Sequence, residues 1–141
     1  MTAPFSPQLL GQTEKALNAL LLRELAGTEV DQPQWIALTL AVQSDGALTR
    51  RQLTDRVAGA LQVDAEQAGK HLHALTSAGL LVDDGRPQPS LAGHTLWNRV
   101  RAFTVTVTQE LWGDLPAEDL DTAARVLSTV LGRAGSRLAT E

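Results

Sequence analysis

Cysteine is absent from the 141 residues, which excludes disulfides, thiolate nucleophiles, sulfur-ligated zinc and redox sensing through a thiol. Long apolar runs are missing too. Arg23 and Glu24 interrupt the stretch from Ala16 to Leu25, so no segment reaches membrane-spanning length and none pairs a basic start with an unbroken apolar core. A soluble, cytoplasmic, non-secreted protein without membrane contact is expected. No HExxH, P-loop or nucleophile-elbow pattern occurs, and no repeat or low-complexity tract. His71 and His73, two apart on a helix, diverge by about 200° around its axis and cannot grip one ion. Metal, cofactor and enzymatic activity are therefore not expected. Basic charge is scarce as well: 12 Lys and Arg face 16 Asp and Glu, a net charge of −4, whereas a nucleic-acid binder usually displays a basic face.

What is present suffices for one domain spanning 1–141, with 43% hydrophobic residues to fill a core. Ten of the twelve basic residues are arginine, a compositional hint of a GC-rich bacterial genome. The negative charge is uneven. Through Ala47, Lys15 and Arg23 stand against Glu14, Glu24, Glu29, Asp31 and Asp45, whereas between Leu48 and Ser90 five bases (Arg50, Arg51, Arg56, Lys70, Arg86) balance five acids (Asp55, Asp64, Glu66, Asp83, Asp84).

That balanced stretch has the grammar of a helix-turn-helix with a small wing. Thr49 and Gln52 are spaced to cap a helix reciprocally, and Leu53, Val57 and Leu61 then fall on one face. Asp64 and Gln67 repeat the signal, Ala68, Leu72 and Leu75 form the next buried stripe, and Gly79 ends it. Leu80, Leu81 and Val82 give a brief strand signal, followed by a loop from Asp83 through Pro89 that no helix or central strand could contain, a hairpin stub. Two helices at a steep angle, the second with a polar outer face, are a common device for placing a helix in the DNA major groove, although capped pairs also occur in proteins that never touch DNA.

The flanks are helical. Residues from about Ser6 to Ala26 carry Leu9 or Leu10, Thr13, Leu17, Leu20 or Leu21, and Leu25 at helical spacing, with Gly27 as the stop. Pro33 opens a second helix whose Trp35, Leu38 and Val42, with Ile36 and Leu40 nearly opposite, predict a central, buried position; Asp45 and Gly46 end it. Ser90 caps a long helix marked by Leu96, Val100, Phe103, Val107 and Leu111. Its run Phe103-Thr104-Val105-Thr106-Val107-Thr108 would suit a strand read alone, but the helical face continues on both sides. After Gly113, Asp114 and Pro116 restart a final helix bearing Leu120, Leu127, Val130 or Leu131, Ala134 and Leu138.

In this order the chain resembles a MarR-type transcriptional regulator. Gln34-Trp35 with Leu38, Leu48-Thr49, Val63-Asp64, Gly79-Leu80-Leu81, Ser90 with Gly93, and Leu115-Pro116-Ala117-Glu118-Asp119-Leu120 carry the resemblance over nearly the whole length. It implies a mainly α fold: a winged helix-turn-helix head over about 33–91, with dimerisation helices over about 6–26 and 91–139. It also implies a homodimer on a pseudo-palindromic double-stranded DNA operator, and release of the DNA by a small aromatic or anionic effector. Two departures stand out. The wing shrinks to Asp83 through Pro89 with Arg86 as its one base, and Lys70 stands on a base-poor recognition helix where the family usually has an arginine or similar group, with Glu66 outward near its start.

The DNA-binding candidates are Gln67, Lys70 and His73 on the recognition helix, Arg50 and Arg51 before it, and Arg86 in the wing. Trp35, Trp97 and Trp112 suit core or dimer packing. Since the family's effector pockets lie between dimer scaffold and reading head, Trp35 and Arg99 are also ligand candidates. The alternative to a repressor is a protein-interaction adaptor that keeps the winged-helix shape without strong DNA binding, which the neutral head and clipped wing would suit. A small catalytic domain has only the tryptophan-lined space in its favour.

Overall fold

The computed structural model describes residues 2–140, and its first five helices start where a side chain satisfies one of the first free amides. In α1 (Pro7–Leu25) the Ser6 hydroxyl accepts from the Leu9 amide, and Pro7 sits where a missing N–H costs nothing. α2 (Gln32–Ser44) opens one residue before Pro33 through a reciprocal pair between Asp31 and Gln34, and ends on left-handed Asp45 and Gly46. Thr49 and Gln52 cap α3 (Arg50–Leu61) reciprocally, as their spacing predicts. For α4 (Ala65–Ser77) only half of the expected box forms. Asp64 accepts from the Gln67 amide at 2.8 Å, but the Gln67 side chain does not return the bond and stays exposed.

The wing is as short as expected, with one correction. β1 (Leu81–Val82) pairs antiparallel with β2 (Gln88–Pro89), Leu81 opposite Pro89 and Val82 opposite Gln88, so the stretch expected to be loop up to Pro89 ends in a strand. A two-stranded ladder is all edge, and an edge tolerates a residue with no N–H to donate. α5 (Leu91–Trp112) stays helical through residues 103–108, and α6 (Ala117–Ala139) follows with Pro116 before it. Among the described residues no helix is long and apolar enough to cross a membrane.

The chain divides into two compact units, the first up to Thr104 and the second from Val105. The core of the first joins Leu38 with Ala37 and Ala41 of α2, Leu53 and Val57 of α3, Ala68, Leu72 and Leu75 of α4, Leu81 of β1 and Val100 of α5. The wholly buried face of α2 is Ala37, Leu38 and Ala41, while Trp35 and Val42 pack at its margin. The alanines matter: their small side chains let α3 and α4 both lie close against one central helix. Each large side chain removed from water here contributes about 1.5–3 kcal/mol.

Ser90 closes the wing onto this core. Its amide donates to the Leu80 carbonyl at 3.0 Å and its hydroxyl to the Gly79 carbonyl at 2.6 Å, while the same oxygen accepts from the Gly93 amide and caps α5. Gly93 is buried so tightly that a Cβ there would overlap the Leu80 carbonyl oxygen. The second unit contains residues 105–112 of α5 together with α6. No residue of α6 is buried, and Val126, Leu127, Val130, Leu131 and Leu138 are all exposed.

Two glycine substitutions should have opposite signs. Gly93→Ala must displace backbone and should cost at least about 1–3 kcal/mol. Gly69→Ala, inside α4 with nothing within 4 Å of the added carbon, should gain about 0.5–1 kcal/mol from helix propensity. Urea denaturation of the two variants checks the pair, and a Gly93→Ala protein as stable as the parent would contradict the packing described.

Candidate nucleic-acid interface

The inner face of α4 is fixed by Ala68, Leu72 and Leu75, so its opposite face is free to meet a partner. Glu66, Lys70, His73 and Ser77 succeed one another at spacings of four, three and four, within about 60° of arc, and Gln67 lies on the flank of that stripe. All five are exposed. His73 approaches Ser77 through Nε2 at 3.4 Å of the Ser77 hydroxyl. Lys70 and Gln67 are free to reach outward, but Glu66 brings a carboxylate onto the same stripe.

A cleft of about 400 Å³ lies between α3, α4 and the wing, with Leu72 and Leu81 among its apolar lining and Arg50, Thr54, His73 and Asp83 among its polar groups. Arg50 and His73, 23 positions apart in the chain by their numbers, are thus brought to one cleft. Arg51 lies in a neighbouring hollow with Thr49, Asp55 and Ala65, at the start of α4. Five of the six candidates are therefore on α3 and α4, and the sixth, Arg86, is on the wing.

Two of these arginines already have partners. Arg50 donates from Nε to Asp83 Oδ2 at 2.5 Å, and its backbone amide donates to the Gly85 carbonyl at 3.1 Å. Arg86 donates from an η nitrogen to the Ala47 carbonyl at 2.8 Å. The turn between β1 and β2 is thereby tied to the first residue of α3 by two bonds and to the connection before α3 by a third. The hydrogen bond from Arg50 holds the Asp83 carboxyl below its ordinary pKa against the opposing effect of partial burial, with the Gly85 amide and the Arg50 charge adding to the depression; Arg50 is raised in turn. The sequence reading missed Asp83. Its one local signal is the glycine two positions later: the Gly85 amide donates to Asp83 Oδ1 at 3.0 Å, and Gly85 has the positive φ that this tight turn requires.

The ligand candidates sit elsewhere in the first unit. Trp35 stacks on Trp97 with centroids 6.3 Å apart and an interplanar angle of 16°. Trp97 donates its indole N–H to the Thr39 hydroxyl at 3.0 Å, Thr39 donates onward to the Trp35 carbonyl, and the Arg101 guanidinium lies over the Trp97 ring at 5.5 Å. Arg99 turns instead to Glu24 near the end of α1, reaching its carbonyl at 3.5 Å and its carboxylate at 3.9 Å. Among the described residues no hydrogen bond or ring contact joins Trp35 to Arg99, and no group of three His, Asp or Glu could hold a metal ion.

No protein-family model matches the chain, and no curated protein matches it in sequence. Solved structures do match. A MarR family protein of Mycobacterium tuberculosis, solved in complex with DNA, is 20% identical over 92% of this chain and 98% of its own, with a TM-score of 0.67; it has also been solved with salicylic acid. A MarR family transcriptional regulator from a Rhodococcus species gives a TM-score of 0.70 at 17% identity, covering 86% of this chain and 90% of its own. CouR from Rhodococcus jostii, bound to p-coumaroyl-CoA, gives 0.72 at 17% identity over 86% and 88%. The chain has the winged helix-turn-helix fold of these proteins.

Proposed function

We infer that the protein is a MarR-type DNA-binding transcriptional regulator, a cytoplasmic, non-enzymatic repressor that binds a pseudo-palindromic operator as a homodimer. The observation that carries this is the exposed stripe of α4, held at a fixed attitude by its buried face and flanked by a wing. In this reading Gln67 reads base edges in the major groove, Lys70 contacts phosphate or guanine, and His73, Arg50, Arg51 and Arg86 contact the backbone. The DNA complex of the Mycobacterium tuberculosis protein, which has the same fold, supports it.

The dimer is supported by apolar surface with nothing upon it. Leu17 and Leu22 of α1, Leu111 and Trp112 of α5 and the row on α6 are exposed, Leu131 by 71%, and a monomer rarely leaves so much uncovered. The helices over about 6–26 and 91–139 would then bury these rows against a second copy, with the head over about 33–91 free to meet DNA. For an effector, the neighbours solved with salicylic acid and with p-coumaroyl-CoA support a small aromatic or anionic compound, with Trp35 and Arg99 near its site. The adaptor reading draws on the neutral head and on the engagement of Arg50 and Arg86 within the protein.

Lys70→Ala should weaken binding to all sequences alike, whereas Gln67→Ala should cost about 1–3 kcal/mol at particular base pairs. Glu66→Gln should tighten binding. With few phosphates neutralised, log affinity should fall with log salt at a slope of about −3 to −5. A gel-shift titration with the chain's own upstream region at two salt concentrations decides between the readings; no binding at low salt, with Lys70→Ala inert, would leave the adaptor standing. Light scattering should give a dimer at micromolar concentration, and Leu127→Glu should cost about 3–5 kcal/mol by burying an unpaired charge. A stable folded monomer would contradict the dimer. Hydrogen peroxide should leave DNA binding unchanged, since the chain has no cysteine to oxidise; reductant-reversible release would overturn that expectation.

A further inference from the structure

Arg50 is the first residue of α3 and is mostly solvent-facing, with 63% of its side chain exposed against 19% for Asp83. Its ion pair uses only Nε. A guanidinium has five N–H donors, and four of them lie on the η nitrogens, for which the described residues provide no hydrogen-bond partner. Asp83 is spent on both sides: Oδ2 accepts from Arg50 and Oδ1 from the Gly85 amide. The carboxylate is therefore oriented by its own turn, and the turn is anchored to α3 by the bond from the Arg50 amide to the Gly85 carbonyl.

We propose that Asp83 is a positioning residue for DNA recognition: it grips Arg50 from behind through Nε, so that the outer η edge of the guanidinium is presented, already ordered, to a DNA phosphate beside the recognition helix. This rests on the DNA-binding reading above. An exposed arginine on a flexible stem loses rotamer freedom when it meets a phosphate, and one already held loses less. Charge also matters. A carboxylate near DNA repels phosphate when it stands alone, as Glu66 does, but the charge of Asp83 is offset by the cation it holds. The same bond lets the wing act on binding indirectly as well, by fixing a residue of α3.

The test measures affinity for a duplex of the chain's own upstream region, across a salt series, for the full-length protein and for Asp83→Ala, Arg50→Ala and the double variant. Asp83→Ala should weaken binding by about tenfold or more, in line with loss of an ordered charge-assisted contact, and both it and Arg50→Ala should reduce the salt slope by about two, one for each copy of Arg50 in the dimer. In the Arg50→Ala background the Asp83 change should add little, because its effect passes through that guanidinium. Asp83→Asn, which keeps an oxygen for the Gly85 amide and so preserves the turn, should fall between parent and alanine variant, with unchanged thermal unfolding. Tighter binding by Asp83→Ala, unchanged binding, or an equal loss with and without Arg50 would overturn the proposal while leaving the DNA-binding reading intact. Absence of binding by the unaltered protein would instead overturn that reading, and this one with it.

Discussion

The seating of α4 on α2 and α3 governs the rest of the head. Ala68, Leu72 and Leu75 fix one face of a thirteen-residue helix against Leu38, Leu53 and Val57, and a helix this short has little stability in isolation. Its outer stripe has a defined direction only because the inner one is buried. The wing follows from the same seating: Leu81 is buried in that core, so β1 leaves it at a fixed point and the turn reaches back to α3.

Electrostatically the head is arranged by pairing more than by net charge. Equal numbers of acids and bases lie between Leu48 and Ser90, which from composition alone suggests a poor DNA ligand. Position changes the weight of each charge. Asp83 is set behind Arg50 and partly buried, while Lys70 and Arg51 stand exposed. Surface ion pairs are worth little for stability, so the consequence of the Arg50–Asp83 pair is orientation. Glu66 remains an exposed carboxylate on the outer stripe of α4.

Much of this was legible in the sequence, and the reason is local. Caps act over three residues, so Thr49 with Gln52, Asp64 and Ser90 announced their helices, and buried stripes repeat at helical spacing. Helical periodicity also outweighed the β-branched run at residues 103–108, which is helical. The parts that were not legible depend on residues far apart in the chain. Arg50 and Arg86 looked like free bases, yet both are engaged across the turn, with Asp83 and with Ala47. The stacking of Trp35 on Trp97 and the Thr39 hydroxyl that links them have no local signal, and the half-made cap at Gln67 depends on a rotamer that spacing does not set.

The central claim is that the exposed stripe of α4 faces DNA. A chain without cysteine allows a single one to be placed cleanly, so a photo-crosslinker attached to Lys70→Cys can be compared with one attached to Lys15→Cys on α1. With a duplex of the upstream region, the position at Lys70 should crosslink to DNA and the one at Lys15 should not. Crosslinking from neither position, or from Lys15 alone, would contradict the account.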